Sequence, residues 1–183
     1  MRLSGGGKTR KTVYTALFAV LITVCTWLCI PAAVPFTMQT FAVFLASLLL
    51  DGKRGAVSVF VYLALGAVGL PVFSGFQGGV GVLFGPTGGY LFGFLLIPLC
   101  FLLRKPFGDF TAVRAAFLGL GLVLCYAFGT AWYVFVYTRG GMASVGAAVL
   151  QCVAPYVLPD AAKLALALAL ARRLEKIKIG SIR

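Results

Sequence analysis

The sequence SGFQGGVGVLFGPTGGY at residues 74–90, here called the Gly-rich loop, sets the architecture expected of this chain. It holds seven of the 23 glycines, keeps large apolar side chains and carries no charge. A flexible linker mixes glycine with serine and other small polar residues, so this composition is not typical of a linker. Because glycine permits positive φ and close backbone approach, the sequence predicts an irregular loop folded back against the protein.

The chain around this loop has the composition of an integral membrane protein. Of its 183 residues, 61% are hydrophobic and 11% are charged, and the mean hydropathy is +1.04. A soluble domain has roughly a quarter of its residues charged. In a bilayer, irregular backbone persists only where it is buried in protein or lines a cavity. The Gly-rich loop is therefore predicted to be a pocket wall or lid.

Six apolar segments predict an all-α membrane protein in which six transmembrane helices and structured outer loops form a ligand pocket. They are residues 13–30, 37–50, 56–72, 90–103, 115–137 and 155–171, within a single domain of residues 1–183. Several are shorter than the roughly 20 residues needed to cross a bilayer, which leaves room for connections that dip inward. The first follows a basic start, but no cleavage site and polar mature domain follow it, so it is expected to remain a transmembrane helix.

The positive charges predict the orientation of these segments. The net charge is +12, and 14 of the 16 basic residues lie before segment one, between two and three, between four and five, and after six. By the positive-inside rule these connections and both termini are cytoplasmic, including a basic N-terminal segment, 1–12, and a basic tail, 172–183. The Gly-rich loop then faces outward. Nucleic-acid binding would need a basic patch on a water-facing fold instead.

Residues suited to metal binding or catalysis are scarce. The five cysteines lie in or beside apolar segments without a CxxC pair, and the chain has no histidine, so neither a metal nor a cofactor is expected. GGGKT at residues 5–9 resembles the end of a phosphate-binding loop, but Arg2 stands where the first glycine is required. The chain is therefore not expected to be an enzyme or to have its own ATPase site.

Asp160 and Lys163 are two ionisable residues in an apolar setting, PYVLPDAAKLALALALA at residues 155–171. A charge at the middle of a membrane helix costs about 2.5 to 3.5 kcal/mol on insertion scales, so such residues usually face a cavity or one another. On a helix opened by Pro159, the i,i+3 spacing puts both on one face. They could neutralise each other, or Lys163 could snorkel to an interface. Alternatively, the aspartate accepts N–H donors of a polar ligand while the ammonium meets an oxygen.

Two amides and several aromatic residues are further candidates for a pocket. Gln77 is the amide of the Gly-rich loop, and Gln39 lies in the first outer connection, PAAVPFTMQTF at residues 31–41. An amide both donates and accepts, as a ligand amide or urea requires, although Gln39 could equally cap the start of a helix. The aromatic candidates are Phe36, Phe73, Phe76, Tyr90, Trp132 and Tyr156.

Four sequence blocks resemble the BioY family, the biotin-binding S components of energy-coupling factor (ECF) transporters. They are PFTMQ (35–39), DGKRG (51–55), LPVFSGFQGGVGVLFGPTGGY (70–90) and PDAAK (159–163). The resemblance implies six transmembrane helices around a biotin pocket near the outer face, covered by the first outer connection and the Gly-rich loop. It also implies a multi-pass protein of a prokaryotic cell membrane, with biotin as transported ligand rather than cofactor.

The same resemblance implies roles for particular residues. Asp160 and Lys163 correspond to the polar anchors of the ligand and Gln77 to the contact from the Gly-rich loop. The ureido ring of biotin suits a carboxylate and an amide, and its thiolane ring and valerate chain suit apolar walls. Leu91 stands where a relative has arginine, which leaves loop N–H groups or Arg139 for the carboxylate of biotin. The predicted ligand-binding residues are Phe36, Gln39, Phe73, Gln77, Gly78, Gly79, Tyr90, Tyr156, Asp160 and Lys163.

The resemblance further implies partners, namely a transmembrane coupling subunit and two ATPase subunits. In the family, segment one presents an AxxxA pattern to the coupling subunit, and here that pattern is reduced to rows of threonine and alanine that still permit close helix packing. The predicted partner interface is Thr12, Thr15, Ala16, Ala19 and Thr23. An S component for a different vitamin and a stand-alone biotin channel or facilitator stay open as alternatives.

Overall fold

A computed structural model describes residues 6–31, 34–137 and 143–176, and within these ranges the chain is largely helical. The helices are α1 (Gly6–Trp27), α2 (Gln39–Leu50), α3 (Gly52–Ala67), α4 (Val80–Leu83), α5 (Gly88–Gly93), α6 (Leu96–Leu102), α7 (Thr111–Tyr137), α8 (Ala143–Cys152) and α9 (Ala154–Lys176). Two short strands, β1 (Cys29–Ile30) and β2 (Phe36–Thr37), form an antiparallel hairpin in the first outer connection. The predicted all-α architecture with structured outer loops is confirmed.

Three helical stretches of the described residues are long and apolar enough to cross a membrane. They are Gly88–Phe107, Thr111–Val136 and Ala154–Leu174, and Gln39–Leu50 is a shorter apolar helix. The short helix, α2, lies at the centre of the bundle, where it packs against α1, α3, α6 and α9. Ten of its 12 residues are buried. Because neighbouring helices cover it on all sides, α2 is not required to match the thickness of the bilayer by its own length.

The predicted fourth segment, residues 90–103, is divided into α5 and α6. Pro98 supplies the physical reason, because it has no N–H to bond to the carbonyl of Phe94, the residue at the break. Hydrogen bonds from Phe94 N to Tyr90 O, 3.0 Å, and from Leu99 N to Leu95 O, 3.3 Å, carry the helical path through the division. Because of the kink, the start of this span, which contains Tyr90, runs in a different direction from its end.

The sixth segment begins within one residue of its predicted start, but the expectation that Pro159 opens this helix is wrong. The helix α9 starts at Ala154 and contains Pro159 in its second turn. Its start follows directly from α8, since Val153 N bonds to Val149 O and Tyr156 N bonds to Val153 O. A helical turn therefore precedes Pro159, so the proline lies within the helix rather than at its start. The i,i+3 placement of Asp160 and Lys163 on one helix is retained.

The first helix also begins earlier than the predicted segment, at Gly6 rather than residue 13. Within the described residues, the basic N-terminal segment is therefore largely the first turns of α1. Gly7 and Thr9 of the GGGKT sequence lie in this helix rather than in a loop.

The predicted cytoplasmic connections converge at one end of the bundle, here called the charged end. Arg114 binds Asp109 in bidentate fashion, at 2.9 Å and 2.8 Å, and Arg104 lies 3.7 Å from Asp51 and 3.6 Å from Asp109. Arg172 also donates to Thr111 at 3.1 Å, which joins the end of α9 to the start of α7. Three of the four connections that the charge pattern assigned to one face are thus neighbours in space.

Candidate ligand-binding site

A cavity of about 310 Å³, here called the outer chamber, lies beneath the Gly-rich loop at the opposite end from the charges. Its walls come from the first outer connection, the start of α2, the Gly-rich loop and α5. The lining residues are Cys29, Pro31, Val34, Pro35, Thr37, Gln39, Phe73, Ser74, Gly75, Gln77, Val82, Thr87, Tyr90, Leu91 and Phe94. Small-molecule sites usually enclose about 300 to 1,000 Å³, so the chamber has the size of a binding site for a small metabolite.

A second space of about 40 Å³, here called the inner chamber, adjoins the outer one. The two chambers share the wall residues Val34, Pro35, Thr37, Tyr90 and Phe94. The inner chamber is further lined by Thr40, Cys125, Tyr126, Cys152, Tyr156, Asp160 and Lys163. The glycine loop and the charged pair of α9, which lie far apart in sequence, therefore border one continuous region.

The Gly-rich loop is fixed in place by two tryptophans. The indole N–H of Trp27 donates to Pro71 O at 2.9 Å, and its ring lies 5.1 Å from that of Phe76. The indole N–H of Trp132 donates to Gly85 O at 3.0 Å. Of the aromatic candidates, Phe76 and Trp132 thus anchor the loop and do not line either chamber. The loop is held to α1 on one side and to α7 on the other, as expected for a structured lid.

Asp160 is buried, with 3% of its surface exposed, and accepts three hydrogen bonds from three different elements. Thr40 of α2 donates to its Oδ1 at 2.8 Å, Tyr126 of α7 donates to its Oδ2, and Lys163 of α9 donates to its Oδ1 at 2.7 Å. A buried carboxylate without such partners would be strongly destabilising. The three donors therefore fix both the charge and the orientation of the side chain.

Lys163 is similarly held, with 6% of its surface exposed. Its ammonium donates to Thr37 O at 2.6 Å as well as to Asp160, and it lies 4.2 Å from the centre of the Phe36 ring. The expectation of an internal salt bridge and the expectation of a cavity-facing pair are both met, since the two charges pair while lining the inner chamber. Snorkelling to an interface is not observed.

Among the described residues, the hydrogen bonds at Asp160 and Lys163 do not use every donor and acceptor position of the two side chains. An ammonium has three N–H donors and a carboxylate has about four lone-pair positions. Among the described residues, Lys163 uses two donors, and Asp160 accepts twice at Oδ1 and once at Oδ2. One donor and one acceptor position therefore remain, which is the pattern needed to bind a neighbouring N–H and C=O of one ligand group.

The structure brings most of the predicted ligand-binding residues together, and it places three elsewhere. Gln39, Phe73 and Gln77 line the outer chamber, Tyr156, Asp160 and Lys163 line the inner chamber, and Tyr90 lines both. Phe36 lies behind the chambers, against Lys163 and 6.1 Å from the Tyr156 ring.

Gly78 and Gly79 do not line either chamber, because they serve the path of the loop. A Cβ on Gly78 would lie 2.3 Å from Leu70 O. Gly79 has a φ of +98° and donates to Gly66 O at 2.7 Å. Gly78 therefore requires glycine for close backbone packing, and Gly79 favours glycine because of its positive φ. Arg139, the charged candidate for a ligand carboxylate, lies outside the described residues.

Gln39 is the first residue of α2, and its side chain points into a buried polar cluster at the floor of the outer chamber. The side chain is 3% exposed and lies near Tyr62 and Thr26. Within the described residues, neither Gln39 Nε2 nor the Tyr62 hydroxyl makes a hydrogen bond of good geometry. Buried polar atoms are rarely left so in a native state. Gln39 thus lines the chamber, while its Nε2 lies buried beside the Tyr62 hydroxyl.

Three residues that bond to the charged pair are missing from the sequence-based prediction, namely Thr37, Thr40 and Tyr126. Thr37 and Thr40 lie within two residues of the predicted Gln39, and this proximity in sequence is a signal that identifies them as candidates for the site. Tyr126 is one of several tyrosines in apolar helices, and nothing in its neighbourhood distinguishes it from a packing residue. Its hydroxyl is identified only by its contact with Asp160.

The small residues of α1 divide into two groups with opposite environments. Thr12 and Ala16 are exposed, together with Val13, Leu17 and Val20. Ala19 and Thr23 are 1% and 7% exposed, because α1 packs on α2 and α3 through this row. Thr15 is half-buried, and its carbonyl accepts from Ser58 at 3.0 Å. Ala19 and Thr23 therefore do not belong to a free surface, contrary to the predicted interface.

Replacing Gly129 by alanine is expected to lower the stability of the protein, because the ring of Tyr90 packs closely on this glycine. A Cβ at Gly129 would lie 2.2 Å from Cδ1 of Tyr90, whose hydroxyl is bonded to Thr130 at 2.9 Å. Overpacking of this kind typically costs about 1 to 3 kcal/mol. We expect a lower apparent Tm in thermal unfolding of the detergent-solubilised protein.

Gly119→Ala is the matched control for this substitution. Gly119 is in the same helix, and a Cβ there would meet nothing within 4 Å. Alanine should be neutral or stabilising at Gly119, since glycine in a helix interior costs about 0.5 to 1 kcal/mol relative to alanine. Equal Tm values for the two variants would contradict the packing of Tyr90 on Gly129.

Comparison with known proteins connects this site to a family. The model of the BioY family matches residues 1–179. The chain is 40% identical to the biotin transporter BioY of Thermotoga maritima, over 93% of this chain and 98% of that one. It is 35% identical to the probable biotin transporter BioY of Pyrococcus horikoshii, over 92% and 98%.

A solved structure is similar in fold as well. It is the crystal structure at 2.1 Å of the S-component for biotin from an ECF-type ABC transporter, with a TM-score of 0.81 and 27% identity over 96% of this chain and 95% of that one. Sequence and fold therefore agree along nearly the whole length, and the chain belongs to the BioY family.

Proposed function

We propose that this protein captures biotin at the outer face of the membrane as the substrate-binding subunit of an ECF-type importer. The observation that carries the proposal is the buried Asp160–Lys163 pair, which borders the cavity under the Gly-rich loop and retains one acceptor and one donor position. Relatives along the whole chain are named biotin transporters, and a similar solved structure is an S-component for biotin.

The two chambers suit the two ends of biotin. The ureido ring has two N–H donors and a carbonyl, which complement the acceptor on Asp160 and the donor on Lys163. The apolar walls of the outer chamber, including Phe73, Val82 and Phe94, suit the thiolane ring and valerate chain. Entry of the ring requires a shift of the wall that the chambers share, which is formed by Val34, Pro35, Thr37, Tyr90 and Phe94.

Titration of the purified protein with biotin tests this function. We expect calorimetry to give a dissociation constant on the order of nanomolar, equivalent to about −12 kcal/mol. Thiamin and riboflavin, added in excess, should not compete. A micromolar constant, or equal competition by either of these vitamins, would contradict the assignment to biotin and favour an S component for a different vitamin.

Gln77→Ala is expected to weaken biotin binding by about tenfold, the effect of losing one hydrogen bond of roughly 1.4 kcal/mol. Gln77 lines the outer chamber from the exposed rim of the loop, so its removal should leave the fold intact. Gln151→Ala is the matched control, since Gln151 is an exposed amide on α8. Equal affinities for the two variants would remove Gln77 from the site.

Three groups are candidates to bind the carboxylate of biotin, and a further titration distinguishes between them. The amide of Gln39 and the N–H groups of the Gly-rich loop border the outer chamber, and Arg139 belongs to the third outer connection. Because the arginine alone is charged, Arg139→Gln should cost affinity for biotin but not for biotin methyl ester if it binds the carboxylate. Unchanged affinity for both ligands would assign the carboxylate to the neutral donors.

We infer that inward transport is driven by a transmembrane coupling subunit and two ATPase subunits. The exposed face of α1, with Thr12 and Ala16 between larger apolar residues, offers a surface for helix packing against the coupling subunit. The charged end is assigned to the cytoplasm together with both termini, and the Gly-rich loop to the outside. Loop closure over biotin would then be followed by reorientation of the subunit within the complex.

Reconstitution in vesicles distinguishes this mechanism from a stand-alone facilitator. Uptake of labelled biotin should require the coupling subunit, the ATPases and ATP. Rapid biotin flux in vesicles that contain this protein alone would favour a channel or facilitator instead. Ala16→Leu, which enlarges the exposed row on α1, should reduce ATP-dependent uptake without changing the affinity of the isolated subunit for biotin.

A further inference from the structure

A cleft of about 270 Å³ lies at the charged end, far from the chambers that border the Gly-rich loop. It is formed where the connection between α2 and α3 meets the end of α6, and it is lined by Asp51, Arg54, Arg104 and Lys105. Three cationic side chains and one carboxylate give this cleft a net charge of +2 in its lining. Such a charge balance favours an anionic ligand.

Arg104 is the fixed element of the cleft. It is 6% exposed, and its guanidinium lies 4.1 Å from the centre of the Phe101 ring, so both packing and a cation–π contact hold it. Its Nη2 atom lies 3.7 Å from Asp51 and 3.6 Å from Asp109, so two carboxylates attract it as well. The cleft therefore holds one guanidinium in a fixed position.

The carboxylates near the cleft are also engaged by other groups. Asp51 accepts a hydrogen bond at 2.9 Å from the N–H of Gly52, the first residue of α3, and Asp109 is paired with Arg114. Lys105 lies 3.8 Å from Asp51, and its side chain is 62% exposed. The lining keeps its net positive charge, and the flexible, exposed side chain of Lys105 borders the open side of the cleft.

Exposed apolar side chains flank the cationic residues at this end. Leu103 and Phe107 are each 64% exposed, on either side of Arg104 and Lys105 in sequence, and Phe110 is 75% exposed. A soluble anion would gain nothing from these side chains, whereas a lipid would contact them with its acyl chains. A phosphate-binding cleft with an apolar border at the end of membrane helices is the arrangement that an anionic phospholipid requires.

We propose that this cleft binds the phosphate group of an anionic phospholipid in the leaflet at the charged end. Arg104 provides the fixed guanidinium, while Arg54 and Lys105 complete the cationic rim. The acyl chains lie along the apolar surface next to Leu103 and Phe107. The lipid contacts both the α2–α3 connection and the end of α6, the two elements that meet at the cleft.

Native mass spectrometry of the delipidated protein, titrated with phosphatidylglycerol or with phosphatidylcholine of the same acyl chains, tests the proposal. We expect the protein to retain phosphatidylglycerol at least about tenfold more tightly than phosphatidylcholine. The double variant Arg54→Gln/Lys105→Gln should lose most of this preference, and thermal unfolding and size-exclusion profiles confirm its fold. Arg104 is left in place because it is buried.

Arg173→Gln is the matched control, because Arg173 is an exposed arginine near the charged end, on α9 outside the cleft. Retention of the phosphatidylglycerol preference by this variant supports the cleft. Equal binding of the two lipids by the unaltered protein, or equal losses in the cleft variant and the control, would overturn the proposal. Stabilisation by inorganic phosphate equal to that by phosphatidylglycerol would overturn the assignment to a lipid.

Discussion

Replacing Asp160 by asparagine is expected to weaken biotin binding by about 100-fold or more. The carboxylate accepts from Thr40, Tyr126 and Lys163, and an asparagine has one oxygen in place of two and adds an N–H₂ group among donors. It also loses the charge that strengthens a hydrogen bond to an N–H of the ureido ring. Hydrogen bonds to charged groups contribute about 1.5 to 3 kcal/mol, and the upper end of this range corresponds to the expected loss.

Calorimetric titration of the Asp160→Asn variant with biotin measures this effect. Asp109→Asn is the matched control, since Asp109 pairs with Arg114 at the opposite end of the bundle. The control should bind biotin as the unaltered protein does, because Asp109 lies at the charged end and borders neither chamber. Normal biotin affinity in a folded Asp160→Asn variant would show that the ligand is bound elsewhere.

Replacing Lys163 by methionine is expected to lower stability and abolish biotin binding together. Methionine fills much the same volume but leaves the buried Asp160 without its cation, and breaking a buried pair in this way costs about 3 to 5 kcal/mol. It also removes the donor to Thr37 O, which ties α9 to the first outer connection. We expect a clear fall in apparent Tm and no detectable heat of biotin binding.

The double variant Asp160→Asn/Lys163→Met separates the structural role of the pair from its role in binding. With both charges removed, most of the stability lost in Lys163→Met should return, since no uncompensated charge stays buried. Binding should not return, because neither ureido contact can form. If the double variant recovers both Tm and biotin affinity, the two residues neutralise each other and nothing more.

The sequence was sufficient to predict the class of fold and the position of the pocket. Scarce charges and long apolar segments allow few arrangements in a bilayer, and an uncharged Gly-rich loop at membrane depth must pack against protein. The pairing of Asp160 with Lys163 followed from a spacing of three on a helix, which is a local property. Their proximity to Gln39 and Tyr90 was expected only through the family resemblance, because no local rule joins positions so distant along the chain.

Other features depended on contacts that no sequence pattern encodes. Tyr126 and Thr40 reach Asp160 from 34 and 120 positions away, and both look like ordinary packing residues in their own helices. The two rows of α1 have nearly the same composition, yet Ala19 is buried against neighbouring helices and Ala16 is exposed. Side-chain spacing shows which residues share a face, but it does not show which face meets another helix.

The amino-acid sequence by itself determined that this is a helical membrane protein with a charged end, a glycine-rich lid and one polar pair in its last helix, because burial in lipid restricts where charge and irregular backbone can lie. Only the tertiary structure decided how that pair is used. Packing of α2, α7 and α9 surrounds Asp160 with donors, places the pair beside a cavity and leaves it one donor and one acceptor position. Those contacts are geometric and join distant parts of the chain, so they exist only once the helices have assembled.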